Sequence, residues 1–151
     1  MERYPNPDMD DVAGVLDRRA EAVIIDGLLV AISFGAVGYL AGAVVLGGQF
    51  GGFGGLIVAL QFGAPVGLLA YQAGFEGHYG QTVGKRLRGI VVVKEDGSPM
   101  TWGASVLRNV LRLVDALPAF YVVGVVVAYL TGTQQRIGDY AASTMVVHTQ
   151  E

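Results

Sequence analysis

The chain has no cysteine, few charges and no excess of base. Without cysteine there is no disulfide scaffold, no thiolate zinc site and no thiol catalysis. Only 15% of its 151 residues are charged, against about 25% in an average soluble domain. The formal net charge of −3 makes nucleic acid a poor partner. No Ser-His-Asp order, His-Glu-x-x-His pattern or pair of carboxylates stands out, so neither an enzyme nor a metal or cofactor site is expected. The run from Gly77 to Arg86 imitates a phosphate-binding loop and fails as one. Tyr79 stands where the leading glycine is needed, and Arg86 where Ser or Thr is needed. In place of charge the chain has 52% apolar residues and 23 glycines, glycine being about twice as frequent as the usual ~7%. The length is that of one domain, and the apolar content excludes a disordered chain.

The largest absence is local. Between Asp26 and Glu76, 49 consecutive positions carry no formal charge. A spanning helix needs about 20 apolar residues, so two fit here, over 27–46 and 54–75, with Pro65 near the middle of the second. Residues 47–53 read as a glycine-rich turn between them. The alternative, a core hairpin of a soluble domain, leaves too little of a 15.8 kDa chain to cover both helices. The first sixteen residues hold Glu2, Asp8, Asp10 and Asp11 against Arg3 alone, which is not a basic leader. Residues 1–14 read as an acidic flexible tail and 15–148 as a single membrane domain. Arg18 and Arg19 precede the first span, and Lys85, Arg86 and Arg88 follow the second, while the turn has no base. Both flanks, including the N-terminus and the 76–103 loop, are therefore predicted to be cytoplasmic.

Residues 104–131 form a third apolar region. Arg108, Arg112 and Asp115 share one stripe of an amphipathic helix, and Pro118 should break or kink it. The segment 119–131 would be about 20 Å long as a helix, short for a ~30 Å hydrocarbon core. It reads either as the end of a kinked span or as a hairpin returning to the cytoplasm. Ile90-Val91-Val92-Val93, ending at an Asp-Gly turn, and Met145-Val146-Val147-His148 are strand-like. Each is too short to stand alone, so the two are predicted to pair. The predicted fold is an all-α transmembrane helical bundle of three to four hydrophobic helices, one broken at Pro118, with a short cytoplasmic β-sheet.

Ionisable residues in such helices are functional candidates by default, because inserting them costs at least ~2.5–3.5 kcal/mol. Asp26 is the first. Arg19 shares its face but lies about 10 Å away along the axis, so Arg108 or Arg112 is the expected partner, through a bidentate guanidinium. The pair reads either as a proton or cation relay or as a structural clasp. Asp115 reads as a local ion pair with Arg112 or as a group at the opened backbone before Pro118. Asp139 reads as a helix cap or as a second cation-binding carboxylate. Lys85, Arg86 and Arg88 are candidates for contact with anionic lipid headgroups, or simply mark topology. Small residues four apart (Gly27, Ala31, Gly35; Gly38, Gly42; Gly63, Gly67) permit close helix packing, within one chain or across a homo-oligomer seam.

Three blocks together resemble the RDD family of membrane proteins, named for one Arg and two Asp. They are Arg18-Arg19 through Asp26; Gly80-Gln81-Thr82-Val83-Gly84-Lys85-Arg86 through Gly97; and Leu107-Arg108-Asn109 through Asp115, then Gln135-Arg136-Ile137-Gly138-Asp139 to Val147. They cover about 17–148 and depart from the family at Glu21, where an apolar or small residue is usual. The resemblance implies that the family's Arg is Arg19, with Arg18 as the alternative, and that its Asp residues are Asp26 and Asp139, with Asp115 at another recurring position. It also implies a multi-pass cell-membrane protein for which transport, including cation/proton exchange, is one expectation. The other is a non-catalytic scaffold or a partner- or lipid-binding protein whose buried Arg–Asp pairs are structural. The expected partners are the lipid bilayer, a second copy of the chain, and a monovalent cation or proton.

Overall fold

The computed structural model describes residues 4–10, 14–115 and 137–150. Helix α1 (Val15–Gly42) starts after Gly14 and continues into a π-helical turn, Ala43–Gly47. The chain reverses at Gly47 and Gly48, whose φ of 84° and 64° are ordinary only for glycine. Helix α2 (Gly48–Val58), a second π-helical turn (Ala59–Gly63) and α3 (Ala64–Tyr79) then run back along α1. Pro65 sits at the start of α3. The wide turn before it absorbs the backbone bond that proline cannot make.

The expected glycine turn over 47–53 is therefore corrected to Gly47-Gly48, because residues 49–53 are helical. Close packing outweighs the poor helix propensity of glycine here. A Cβ on Gly42 would strike the Gly51 carbonyl oxygen, and one on Gly55 the Gly38 carbonyl oxygen. Gly63 and Gly67 receive the Phe34 ring, whereas Gly27 faces open space. Most of the small-residue stripe is thus used within the chain.

The hairpin is inside out by the standard of a soluble domain. Val15, Arg19, Ala22, Asp26, Val30 and Gly35 form the buried face of α1, at helical spacing. Ile24, Leu28, Ile32, Val37, Leu40, Val44, Phe50, Ile57 and Phe62 are exposed. The segment Val15–Tyr79 is long and apolar enough to cross a membrane.

A short helix α4 (Val83–Leu87) follows, with Thr82 capping its start by accepting from the Lys85 N–H at 3.2 Å. Gly84 presses α4 onto α1, with no room for a Cβ beside the Ala22 carbonyl. The predicted strand pair is present. Ile90–Lys94 runs antiparallel to Thr144–Thr149, with Val92 opposite Val146. Pro7–Asp8 adds a third strand along Thr149 and His148. In chain order these strands are β1 (Pro7–Asp8), β2 (Ile90–Lys94) and β3 (Thr144–Thr149), arranged β1-β3-β2. Alternation places Ile90, Val92 and Val146 against Val15, Ala22 and Met100. Val91, Val93 and Val147 pack with Met9 and Met145 on the other face.

The flexible-tail expectation is corrected for residues 4–10. Besides β1, the Tyr4 hydroxyl bonds the Met100 carbonyl at 2.8 Å and the Gly77 carbonyl at 3.0 Å. Composition does not reveal this, because the anchors are one aromatic ring and the backbone. Helices α5 (Trp102–Asp115) and α6 (Ile137–Ala141) complete the described chain. The break at Pro118 and the segment 119–131 lie outside the described residues, as does the choice between a span and a returning hairpin. The result is a mostly helical fold with a long apolar segment and a small three-stranded sheet.

Candidate functional site

The charged residues meet at the end of the hairpin opposite Gly47-Gly48. Five of them form a chain of ion pairs. The Lys85 ammonium from α4 lies 2.5 Å from one oxygen of Glu76 in α3. The other Glu76 oxygen faces Arg108 Nε of α5 at 3.4 Å and the Asn109 amide at 3.2 Å. Arg108 Nη2 reaches on to Asp139 of α6 at 3.0 Å. The second Asp139 oxygen is bound by Arg19 of α1. All five are buried, Glu76 completely. One rung along α3 and α5, Arg112 donates to the Gln72 amide oxygen at 2.7 Å.

Asp26 is completely buried and stands apart from these pairs. Its carboxylate accepts from the Thr82 hydroxyl at 2.6 Å, the Gly84 N–H at 2.8 Å and the Tyr71 hydroxyl at 3.0 Å. Tyr71 in turn accepts from the Val83 N–H at 2.9 Å. Asp26 therefore ties the α4 start to α1 by the hydrogen bonds that its two oxygens accept. The expected pairing of Asp26 with Arg108 or Arg112 is corrected. Arg108 is held between Glu76 and Asp139, and Arg112 by Gln72.

Of the sequence candidates, Arg19, Arg108 and Asp139 come together in one network. Arg112 adjoins it, and Asp26 lies in a neighbouring one. Asp139 lies in the first turn of α6, where two guanidiniums bind it. The Asp115 side chain lies outside the described residues. Lys85 is corrected from a headgroup contact to a buried ion pair. Burial pushes its ammonium down, to about 7, while Glu76 pulls it the other way. Arg86 is exposed, and Arg88 makes a half-exposed pair with Glu21 at 3.0 Å, of the kind that contributes little.

Sequence reasoning misses Glu76 and Gln72. The available signal is their separation of four, which places a carboxylate and an amide on one face at the end of an apolar helix. Helix α5 shows the same inversion as the hairpin. Ser105, Arg108 and Asn109 point in, whereas Trp102, Val106, Leu107 and Val110 are exposed.

Apolar side chains outside and paired charges inside are the signature of helices whose surrounding solvent is lipid, and they define a helical membrane protein. The RDD family model matches residues 12–143, and the chain belongs to this family. It is also similar to the "Uncharacterized membrane protein YteJ" of Bacillus subtilis (strain 168), with 41% identity over 83 residues. That match covers 53% of this chain and 48% of the relative, so the chain spans about half of that protein's length. No solved structure matches.

Proposed function

We propose that this RDD-family chain is a non-catalytic membrane scaffold in which α1 and α2–α3 cross the bilayer as a hairpin. In this reading the buried ion pairs are a clasp that fixes the sheet and α4 to the cytoplasmic end. The apolar stretch 27–46 is about 30 Å long as a helix, which matches the hydrocarbon core. That puts Asp26 and the ion pairs at one interface rather than at the membrane centre.

The observation that carries the clasp is the satisfaction of the carboxylates. Glu76 and Asp139 are each shared by two cations, and Asp26 accepts three hydrogen bonds. A relay needs a carboxylate free to exchange its partner. The exposed Arg86, Leu87 and Arg88 would then present a basic, partly apolar face to lipid or to a partner protein.

Topology is tested by single cysteines in this cysteine-free chain. Gln49→Cys, at an exposed position beside the reversal, should label with an impermeant maleimide only from outside the cell, and Glu95→Cys only from inside. Equal labelling of both from one side overturns the hairpin crossing.

One observation favours transport as a second reading: among the described residues no cation pairs with Asp26. The two readings part in liposomes carrying a sodium gradient and an internal pH dye. Flux that Asp26→Asn abolishes would replace the scaffold with a cation/proton exchanger. Absence of flux from folded wild type supports the scaffold.

A further inference from the structure

Among the described side chains, the charges around α3 and α5 do not balance. Arg19, Lys85 and Arg108 share two carboxylates, Glu76 and Asp139. Arg112 adds another cation, and its side chain bonds only the neutral Gln72 amide among the described residues. Asp26 offers no compensation, because its oxygens are committed to Tyr71, Thr82 and Gly84. Two buried donors on these same rungs have no hydrogen-bond partner among the described residues, Gln72 Nε2 and Arg108 Nη1. The Gln72 amide cannot be turned to remove the problem, since its oxygen is fixed by the Arg112 guanidinium and a flip would set donor against donor. Buried unsatisfied donors are costly and rare. Buried donors without acceptors beside two guanidiniums call for an anion.

We propose that Gln72, Arg108 and Arg112 form a seat for a phosphate-class oxyanion between α3 and α5. Arg112, only half-buried, is its accessible mouth. Guanidiniums match the paired oxygens of a phosphate, and the Gln72 N–H adds direction. Gln72 follows Tyr71, which bonds Asp26, so the seat lies at the edge of the uncharged stretch, where lipid phosphates sit. The unpartnered donors stand without the membrane reading; the choice of a lipid headgroup rests on it.

The test is thermal unfolding of the purified chain in uncharged detergent, with three additions: phosphatidylglycerol, diacylglycerol as its phosphate-free counterpart, and sodium phosphate at fixed ionic strength. Phosphatidylglycerol should raise the wild-type Tm by about 3 °C or more, and diacylglycerol should not. Arg112→Gln and Gln72→Leu should each lose that rise. Both lie off the five-residue ion-pair chain, and Arg112→Gln, which leaves no stranded guanidinium, should keep its ligand-free Tm within about 3 °C of wild type; Gln72→Leu removes the Arg112 acceptor and should fall lower. If either variant fails to fold, lipid retained by the other in native mass spectrometry decides. A matching rise with sodium phosphate supports a seat for the phosphate group alone; a rise with phosphatidylglycerol only supports a lipid seat. No rise with any anion, or an equal rise in both variants, overturns the proposal. So does binding that appears only in Asp115→Asn, which would mean that the chain fills the seat with its own carboxylate. Cysteine labelling reports the topology separately, so a failed seat and a failed hairpin are distinguishable.

Discussion

Arg19 and Asp139 lie 120 residues apart and form a buried ion pair that joins α1 to α6. Asp139 is also bound by Arg108, so the two ends of the pair are not equivalent. Asp139→Asn leaves two buried guanidiniums short of charge, whereas Arg19→Met leaves Asp139 with Arg108. Removing one partner of a buried pair costs about 3–5 kcal/mol. Asp139→Asn should reach that range and Arg19→Met should cost less, measured as loss of thermal stability in detergent. The double variant Arg19→Met, Asp139→Leu should be less destabilised than the two single losses added together. Strict additivity would show that the pair is not coupled.

Asp26 makes a different prediction, because its partners are two hydroxyls and an N–H. In Asp26→Asn the new amide donor must face one of the hydroxyls, which can turn to accept it. The loss should be modest, about 1–3 kcal/mol. Asp26→Leu strands all three donors and should cost more. The readout is the unfolding midpoint of each variant, together with protease protection of the Val83–Leu87 helix. Equal stability of wild type and Asp26→Leu would remove Asp26 from any role in holding α4.

The legible parts of the fold are those written in local pattern. The β-branched run at Ile90 and its Asp-Gly turn announce a strand, and the uncharged stretch announces the hairpin. Arg19, Arg108 and Asp139 stand out as charges in apolar surroundings. Which of them pair does not stand out, because pairing depends on how distant elements are brought together, 120 residues apart for Arg19 and Asp139. Glu76 escapes notice because it ends the neutral stretch, where a charge reads as the limit of a span. Lys85 misleads because it sits between Gly84 and Arg86 in a basic run that looks like a surface. Only the turn of α4 onto α1 separates its buried side chain from its exposed neighbour. Gly51 and Gly52 read as a turn by propensity, and the nearness of Gly42 and Tyr39 makes them helix.

Gly42 and Gly27 lie on the same helix and should respond oppositely to bulk. A side chain at Gly42 meets the backbone of Gly51 and Gly55, whereas a Cβ on Gly27 would have no neighbour within 4 Å. Gly42→Val should separate α1 from α2 and cost about 2 kcal/mol or more, at the upper part of the overpacking range. Gly27→Val should fall within about 0.5 kcal/mol of wild type, as for a surface change. Denaturation midpoints compare the two directly. A larger loss for Gly27→Val would indicate that the open face of α1 is covered by another chain.

Lys85 gives the pH dependence. Burial holds its folded pKa at about 7, below the ordinary 10.5. Between these values the folded chain binds this proton less fully than the unfolded chain does. Stability must then rise with pH through that window, because unfolding takes up a proton. Below about 7 both states are protonated, and the contribution no longer changes. Melting temperatures measured from about pH 6 to about pH 10 should therefore climb in wild type relative to Lys85→Met, which lacks the titrating group. The same difference at every pH would show that Lys85 keeps its proton and is held as a permanent ammonium by Glu76.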